Sequence, residues 1–166
     1  MEKPMGKFSI EFKWGAIFMA MSLLWTYLER SAGLHGDAIA KYPLLSNIFA
    51  LFAFALYFMA VADKKQNYYH GKMDWTRGFL SGLSLTVVLA ILNPLTQYVA
   101  LNYVSPEFLA NMRAFYVTKG ALSPAAAESM FSLKSLVLQG IFTILSMGVV
   151  TSAIIAWFVR SKDYKQ

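Results

Sequence analysis

Apolar and charged positions alternate along this chain in long blocks rather than in short periods. Four blocks carry no charged residue, and they cover residues 14–28, 42–62, 78–106 and 135–159. A helix of about 20 apolar residues crosses the hydrocarbon core of a bilayer. Residues 48–62 have no polar face, whereas a buried helix of a soluble bundle keeps one. The pattern predicts an all-α integral membrane bundle in one domain, residues 1–166, with four transmembrane helices at about 10–29, 43–62, 76–101 and 133–159.

Residues 102–133 form the longest segment between two of these spans, and they contain two similar sequences. SPEFLANMRAFY begins at Ser105, and SPAAAESMFSLK begins at Ser123. Serine followed by proline is typical of the first positions of a helix. We therefore predict two short helices, split at Lys119 and Gly120, with Ser105 and Ser123 as N-caps. The first helix is amphipathic and is expected to lie on the outer membrane surface or to cap the bundle. Its apolar face is formed by Phe108, Leu109, Met112, Phe115 and Tyr116.

The charged residues are few, at 14% of the chain against roughly a quarter in soluble domains, and they are unevenly distributed. Ten of the 15 basic residues lie before the first uncharged block, between the second and third blocks, or after the fourth block. Basic residues accumulate on the cytoplasmic side of a membrane protein, so both termini are expected in the cytoplasm. This bias accounts for the net charge of +6 through topology and contact with anionic lipid, without nucleic acid. The absence of cysteine excludes disulfides and thiolate metal sites.

The segment between the second and third spans, DKKQNYYHGKMDWTRG, contains a turn and a helix start. His70-Gly71 predicts the turn, and Asp74 predicts an N-cap ahead of Trp75. His70 has no second metal ligand nearby, so we expect it in solvent or among lipid headgroups.

The third span carries small and polar residues along one helical face. Gly78 and Gly82 would allow another helix to approach closely, and Thr86, Asn93 and Gln97 continue the same face. The fourth span offers Gly140 and Gly148 as matching points of close packing. Pro94 predicts a helix kink, because it frees a backbone carbonyl about one turn earlier.

The predicted orientation places six polar residues in the outer half of the membrane. They form a candidate polar vestibule that consists of Glu29, Asn47, Asn93, Gln97, Gln139 and Thr143. Three interpretations remain open: hydrogen bonds between neighbouring helices, a ligand or transport site, and a surface for a protein partner. Glu29 is either a solvated charge paired with Arg30 or Lys134, or a functional ionisable group within the membrane.

Catalytic patterns receive little support. The chain has no HExxH sequence, no glycine-rich phosphate loop and no pair of acidic residues within a span. His35, Asp37 and Glu29 lie near one another in the first outer loop, where an external site is one reading and a solvated loop the other. We expect no catalysis, no cofactor and no metal.

Several short sequences together resemble a family of domains of unknown function. They are KWG at the first span, LE and GLH at its end, the loop DKKQNYYHGKMDWTRGFLSG, proline and glutamine in the third span, and LKS, QG and MGVVTSAIIAWFVR in the fourth. Members of this family are small four-span membrane proteins, mostly of Bacteroidetes-type bacteria. The resemblance implies a bacterial inner-membrane protein with no established activity. It also implies recurring positions at Trp14, Glu29, Tyr69, Gly71, Trp75, Gly78, Pro94, Gln97 and Gln139.

Two functions are consistent with these features. The first is a non-enzymatic accessory or structural subunit that acts through helix packing at Gly78 and Gly82 and through its periplasmic cap. A single four-span bundle encloses little space, so a homo-oligomer or a membrane-protein partner is expected. The alternative is a small transporter or channel, in which the polar vestibule opens outward and Pro94 acts as a hinge.

Overall fold

The computed structural model of the protein describes residues 8–161, and the secondary structure in this range is helical with no strand. The α-helices are α1 (Ser9–Ser31), α2 (Tyr42–Leu45), α3 (Phe49–Asn67), α4 (Trp75–Val99), α5 (Phe108–Thr118), α6 (Pro124–Met130) and α7 (Leu133–Val159). Short 3₁₀ segments at Ile39–Lys41 and Ser46–Ile48 flank α2. A π-helical segment, Ala100–Val104, extends α4. The predicted all-α class is confirmed.

Three helical stretches between residues 8 and 161 are long and apolar enough to cross a membrane. They are Ile39–Asn67, Trp75–Val104 and Leu133–Val159, with 29, 30 and 27 residues. They match the second, third and fourth predicted spans and indicate a membrane-embedded protein. The first predicted span is present as α1, with 23 residues. The charged residues near both ends of α1 lower its apolar character, so its passage through a membrane stays a prediction.

The described residues form two compact units. Residues 8–18, 51–91 and 142–161 make up the first unit, and residues 19–50 and 92–141 make up the second unit. Four helices, α1, α3, α4 and α7, contribute residues to both units.

In the first unit α4 packs against α7 through small residues. Gly78 lies against Ala156, Gly82 against Ser152, and Thr86 against Gly148. These α4 positions are one turn apart and meet α7 positions in reverse order, so the two helices are antiparallel here. A Cβ added to Gly82 would lie only 2.6 Å from Ser152 Cβ and 3.1 Å from its Cα. The absence of a side chain at Gly82 is what allows this close contact.

The loop between α3 and α4 follows the predicted turn chemistry. His70 and Gly71 adopt left-handed backbone angles, with φ of 52° and 81°. The Asp74 carboxylate accepts a hydrogen bond from the Arg77 amide at 2.7 Å, which confirms the predicted N-cap of α4. Ser161, two residues after the end of α7, contacts the same loop, because its amide donates to the Met73 carbonyl at 2.7 Å.

The second unit has an apolar core built around α5. Buried residues from several elements form it, namely Ile39, Leu101, Phe108, Met112, Ala127 and Phe131. The predicted apolar face of α5 packs into this core, which confirms its amphipathic pattern. The two short helices are also confirmed, with Gly120 at φ 67° between them.

Only one of the two predicted serine caps is present. Ser123 caps α6, because its hydroxyl accepts a hydrogen bond from the Ala126 amide at 3.3 Å. The prediction for Ser105 is wrong: the N-cap of α5 is Glu107. The chain leaves the π-helical segment at Ser105, whose amide donates to the Ala100 carbonyl at 2.8 Å. This geometry directs the Ser105 hydroxyl to another partner, His35.

Candidate functional site

A buried polar cluster forms in the second unit where the chain reverses after α1. The turn after α1 is closed by the Leu34 amide, which donates to the Glu29 carbonyl at 3.0 Å, and Gly33 adopts a φ of 77°. This reversal brings His35 back against the end of α1. The His35 ring packs against the Phe108 ring, with centroids 4.5 Å apart. An aromatic wall therefore covers the imidazole.

Glu29, His35 and Ser105 form the centre of this site, which we call the Glu29 cluster. His35 Nδ1 lies 2.8 Å from Ser105 Oγ, and His35 Nε2 lies 3.5 Å from Glu29 Oε2. The Trp25 indole donates to Glu29 Oε1 at 2.7 Å. The three central residues are 5%, 5% and 1% exposed. The Ser105 hydroxyl can donate to His35 Nδ1, whereas His35 Nε2 is buried and makes no hydrogen bond, although Glu29 Oε2 lies 3.5 Å away.

Further hydrogen bonds connect the end of α1 and the loop after it to α5 and the segment before α5. Asn111 Nδ2 donates to the His35 carbonyl at 2.7 Å. Arg30 donates to the Val104 carbonyl at 2.7 Å and lies 3.6 Å from the Glu107 carboxylate. These bonds from side chains to backbone carbonyls fix the loop that carries His35 against α5, and the end of α1 against the segment that leads to Ser105.

The interpretation of Glu29 as a solvated charge is wrong. Glu29 is buried, and its contacts are Trp25 and His35 rather than Arg30 or Lys134. The solvated reading of the loop holds only for Asp37, which is exposed, whereas His35 is buried. A serine, a histidine and a carboxylate are also the components of hydrolytic sites. Here the Ser105 hydroxyl is shielded from solvent, so the cluster is suited to holding the loop in place rather than to meeting a substrate.

Asn93 is buried in the second unit and bonded to a neighbouring helix. Its Nδ2 donates to the Val137 carbonyl of α7 at 3.0 Å. Gly140 lies beneath it, because a Cβ added to Gly140 would come within 2.8 Å of Asn93 Oδ1. This contact matches the first of the three interpretations of the polar residues, a hydrogen bond between helices.

The other candidate vestibule residues have more exposed positions. Asn47 and Gln139 are exposed and bond within their own helical turns, to the Pro43 carbonyl at 2.6 Å and to Ser135 Oγ at 2.8 Å. Gln97 is half-buried, and Pro94 lies inside α4. Thr143 is exposed and belongs to the first unit, whereas the other five belong to the second.

The first unit contains two ion pairs that the sequence pattern did not reveal. Glu11 and Lys64 are paired, at 2% and 5% exposure. Asp63 pairs with Lys13 and accepts a hydrogen bond from the Trp14 indole at 2.6 Å. Glu11 and Lys13 lie near the start of the first predicted span, and the sequence contains no signal for partners about 50 residues away.

Metal-ligand groups are not assembled in the described part of the chain. No three histidine, cysteine or acidic side chains lie close enough together to hold an ion there. The Glu29 cluster supplies two such groups, with a hydroxyl as the third polar member.

The comparisons with known proteins give a family and no activity. No curated protein and no solved structure matches the chain. A family model described as "Protein of unknown function (DUF4199)" matches residues 13–161. This range covers all seven α-helices except the first turn of α1. The protein therefore belongs to the DUF4199 family of proteins of unknown function.

Proposed function

We propose that this protein is a non-enzymatic subunit of the bacterial inner membrane, which crosses the bilayer four times and supports a partner through packing and docking. The observation that carries this proposal is the bonding of Asn93, the most deeply buried of the predicted vestibule amides. Its side chain closes onto Val137 and Gly140 of α7 instead of facing an opening. The same bonding weighs against a transport path at this position.

The partners of the charged residues of α1 support its role as a span in addition to the three long apolar stretches. A helix of 23 residues extends about 35 Å, which exceeds the roughly 30 Å of the hydrocarbon core. Near its beginning Glu11 is paired with Lys64, and Lys13 is paired with Asp63. Near its end Glu29 accepts a hydrogen bond from the Trp25 indole and lies 3.5 Å from the His35 ring. Ion-pair and hydrogen-bond partners reduce the cost of these groups near lipid.

The distribution of charge supports cytoplasmic termini. The described part of the first unit has six basic and three acidic residues, and the second unit has five and four. The excess therefore belongs to the unit that contains the α3–α4 loop and the end of α7. Basic excess marks the cytoplasmic side, which would place α5 and α6 on the periplasmic side.

A groove beside α6 is the docking surface that we propose for the partner. It has a volume of about 540 Å³ and is lined by α6 and the first turns of α7, with Glu128, Ser129, Ser132 and Lys134 as polar members. The residues of α6 are exposed apart from Ala127, which anchors it to the core. The surface is polar and mixed in charge, so a partner would meet it through hydrogen bonds and ion pairs rather than through an apolar core.

Site-specific crosslinking in native membranes tests this proposal. A photoreactive amino acid at Ser129 is expected to give one product of defined mass, either with a second protein or with a second copy. The same group at Lys41, an exposed residue outside the groove, is the control. No protein product at Ser129, or equal products at both positions, would refute the docking surface.

The topology has its own test, because the chain contains no cysteine. Ala121→Cys is expected to react with a membrane-impermeant maleimide from the periplasmic side, and Lys72→Cys only after the membrane is opened. The reverse pattern would contradict cytoplasmic termini.

A further inference from the structure

An amphipathic groove in the first unit is separate from the surfaces discussed above. Its volume is about 430 Å³, within the roughly 300–1,000 Å³ of pockets that hold small molecules. The end of α3 and the loop after it contribute Lys64, Tyr68 and Tyr69. The first half of α4 contributes Leu80, Leu83 and Val87. The groove therefore has a polar aromatic end and an apolar wall.

The wall formed by α4 is apolar although two serines lie along it. Ser81 Oγ donates to the Arg77 carbonyl at 2.7 Å, and Ser84 Oγ donates to the Leu80 carbonyl at 2.9 Å. Both hydroxyls are thereby bonded to the backbone of their own helix. Leu80 and Val87 are each more than half exposed, and the spacing from Leu80 through Leu83 to Val87 keeps them on one face. This face offers hydrocarbon contact over about two turns.

The other end of the groove combines aromatic rings with positive charge. The Tyr68 and Tyr69 rings are nearly perpendicular, with centroids 4.9 Å apart. The Lys64 ammonium, which is paired with Glu11, lies 4.9 Å from the Tyr68 ring centre. The Arg77 guanidinium, which lies beside the groove, is 5.6 Å from the Tyr69 ring centre. Arg77 also lies 3.7 Å from Asp74, and its side chain is 44% exposed, so an anion beside Tyr69 has access to it. The phenol hydroxyls are hydrogen-bond donors as well.

The polar aromatic end and the apolar wall of the groove follow one another in the same order as the headgroup and the acyl chains of a phospholipid. Tyr68 and Tyr69 precede α4, where a span begins, and Val87 lies about three turns into α4. A lipid phosphate beside the tyrosines would thus lead directly to an acyl chain along Leu80 and Val87. The first unit also carries the larger basic excess, which favours an anionic headgroup. We propose that this groove binds one anionic phospholipid, with its phosphate at Tyr68, Tyr69 and Arg77 and one acyl chain along α4.

Native mass spectrometry of the full chain in detergent tests the proposal with two lipids of identical acyl chains. Phosphatidylglycerol is the anionic probe, and phosphatidylcholine is the zwitterionic probe. We expect one retained phosphatidylglycerol with about fivefold preference, the effect of roughly one basic residue at a membrane surface. Arg77→Gln is expected to reduce this preference to less than twofold. Equal retention of the two lipids by the unmodified chain would overturn the proposal.

A second pair of variants separates binding in the groove from general adsorption. Ser84→Trp fills the groove with an indole and should abolish the retained lipid, whereas Ser146→Trp, exposed on α7 outside the groove, should leave it unchanged. Val87→Trp, at an exposed position of the same wall, replaces Ser84→Trp if that variant does not fold. Retention of phosphatidylglycerol at the unmodified level by a folded groove variant would overturn the site. The crosslinking result at Ser129 has no bearing on this outcome, because that surface belongs to the second unit.

Discussion

Replacement of Gly82 by alanine is the sharpest test of the close contact between α4 and α7. The added Cβ would come within 2.6 Å of Ser152 Cβ and within 3.1 Å of Ser152 Cα. Ser152 is fully buried, and rotation of its side chain leaves Cβ and Cα where they are. The two helices must therefore move apart by several tenths of an ångström, which loosens the contacts at Thr86 and Gly148 as well.

The magnitude follows from two opposing effects. Overpacking of a tight core usually costs about 1–3 kcal/mol. Alanine in place of glycine within a helix contributes about 1 kcal/mol in the other direction. Because the obstruction at Gly82 includes backbone, we expect a net loss of about 1–2 kcal/mol in the free energy of unfolding. At Gly78 the nearest atom, Ala156 Cβ, is 3.1 Å from the added Cβ, so Gly78→Ala should cost less.

Unfolding by sodium dodecyl sulfate in mixed micelles, followed by tryptophan fluorescence, measures these free energies. Ser146→Ala, on an exposed position of α7, is the control and should stay within about 0.5 kcal/mol of the unmodified chain. The double variant with Gly82→Ala and Ser152→Gly removes the obstructing Cβ. It should therefore be more stable than the sum of the two single effects by about 1 kcal/mol. Additive effects, or a Gly82→Ala protein as stable as the unmodified one, would refute the contact.

The same unfolding measurement checks three further predictions. Lys64→Met should lower the free energy of unfolding by about 3–5 kcal/mol, because it leaves the buried Glu11 carboxylate without this partner. The double variant with Glu11→Leu should recover most of that loss, and no recovery would contradict a direct pair. Ser105→Ala should cost about 1–3 kcal/mol because His35 Nδ1 loses its partner, and an effect as small as that of the exposed Ser129→Ala would argue against the Glu29 cluster. Asn93→Leu should cost about 0.5–2 kcal/mol through the lost bond to the α7 backbone, and an unchanged stability would show that this bond contributes nothing.

The two serine-proline sequences show how far local pattern predicts this fold. Ser123 caps its helix as its sequence indicates, because the residues before it form a loop that allows an extended N-cap conformation. Ser105 has the same local sequence but follows a π-helical segment, and its hydroxyl reaches His35, 70 residues earlier in the chain. Helix positions, turns and the apolar face of α5 depend on near neighbours, so the sequence predicted them. The partner of Ser105 depends on a distant contact.

The partners of the charged residues of α1 could not be predicted from the sequence for the same reason. Hydropathy treats each charge as a cost, whatever stands opposite it. In the structure, Glu11 is paired with the ammonium group of Lys64 in α3, 53 residues away. Lys13 is paired with Asp63 across a similar separation in sequence. Glu29 meets His35 only because the chain turns sharply at Gly33. The sequence therefore located the ends of α1 well, but it did not identify the buried partners that Glu11 and Glu29 have in the structure.

The face of α4 that carries small residues is covered by α7 of the same chain. This contact limits where a partner protein can bind. In the first unit Gly78 and Gly82 lie against Ala156 and Ser152 of α7, and in the second unit Asn93 lies against Gly140. A partner helix cannot use the same face without displacing α7. Close packing of α4 against α7 thus accounts for Gly78 and Gly82 of the third span. At Gly140 of α7 the missing side chain lets the Asn93 amide reach the Val137 carbonyl. Association with other proteins must then use surfaces that α7 leaves open, and the groove beside α6 is a polar surface of that kind.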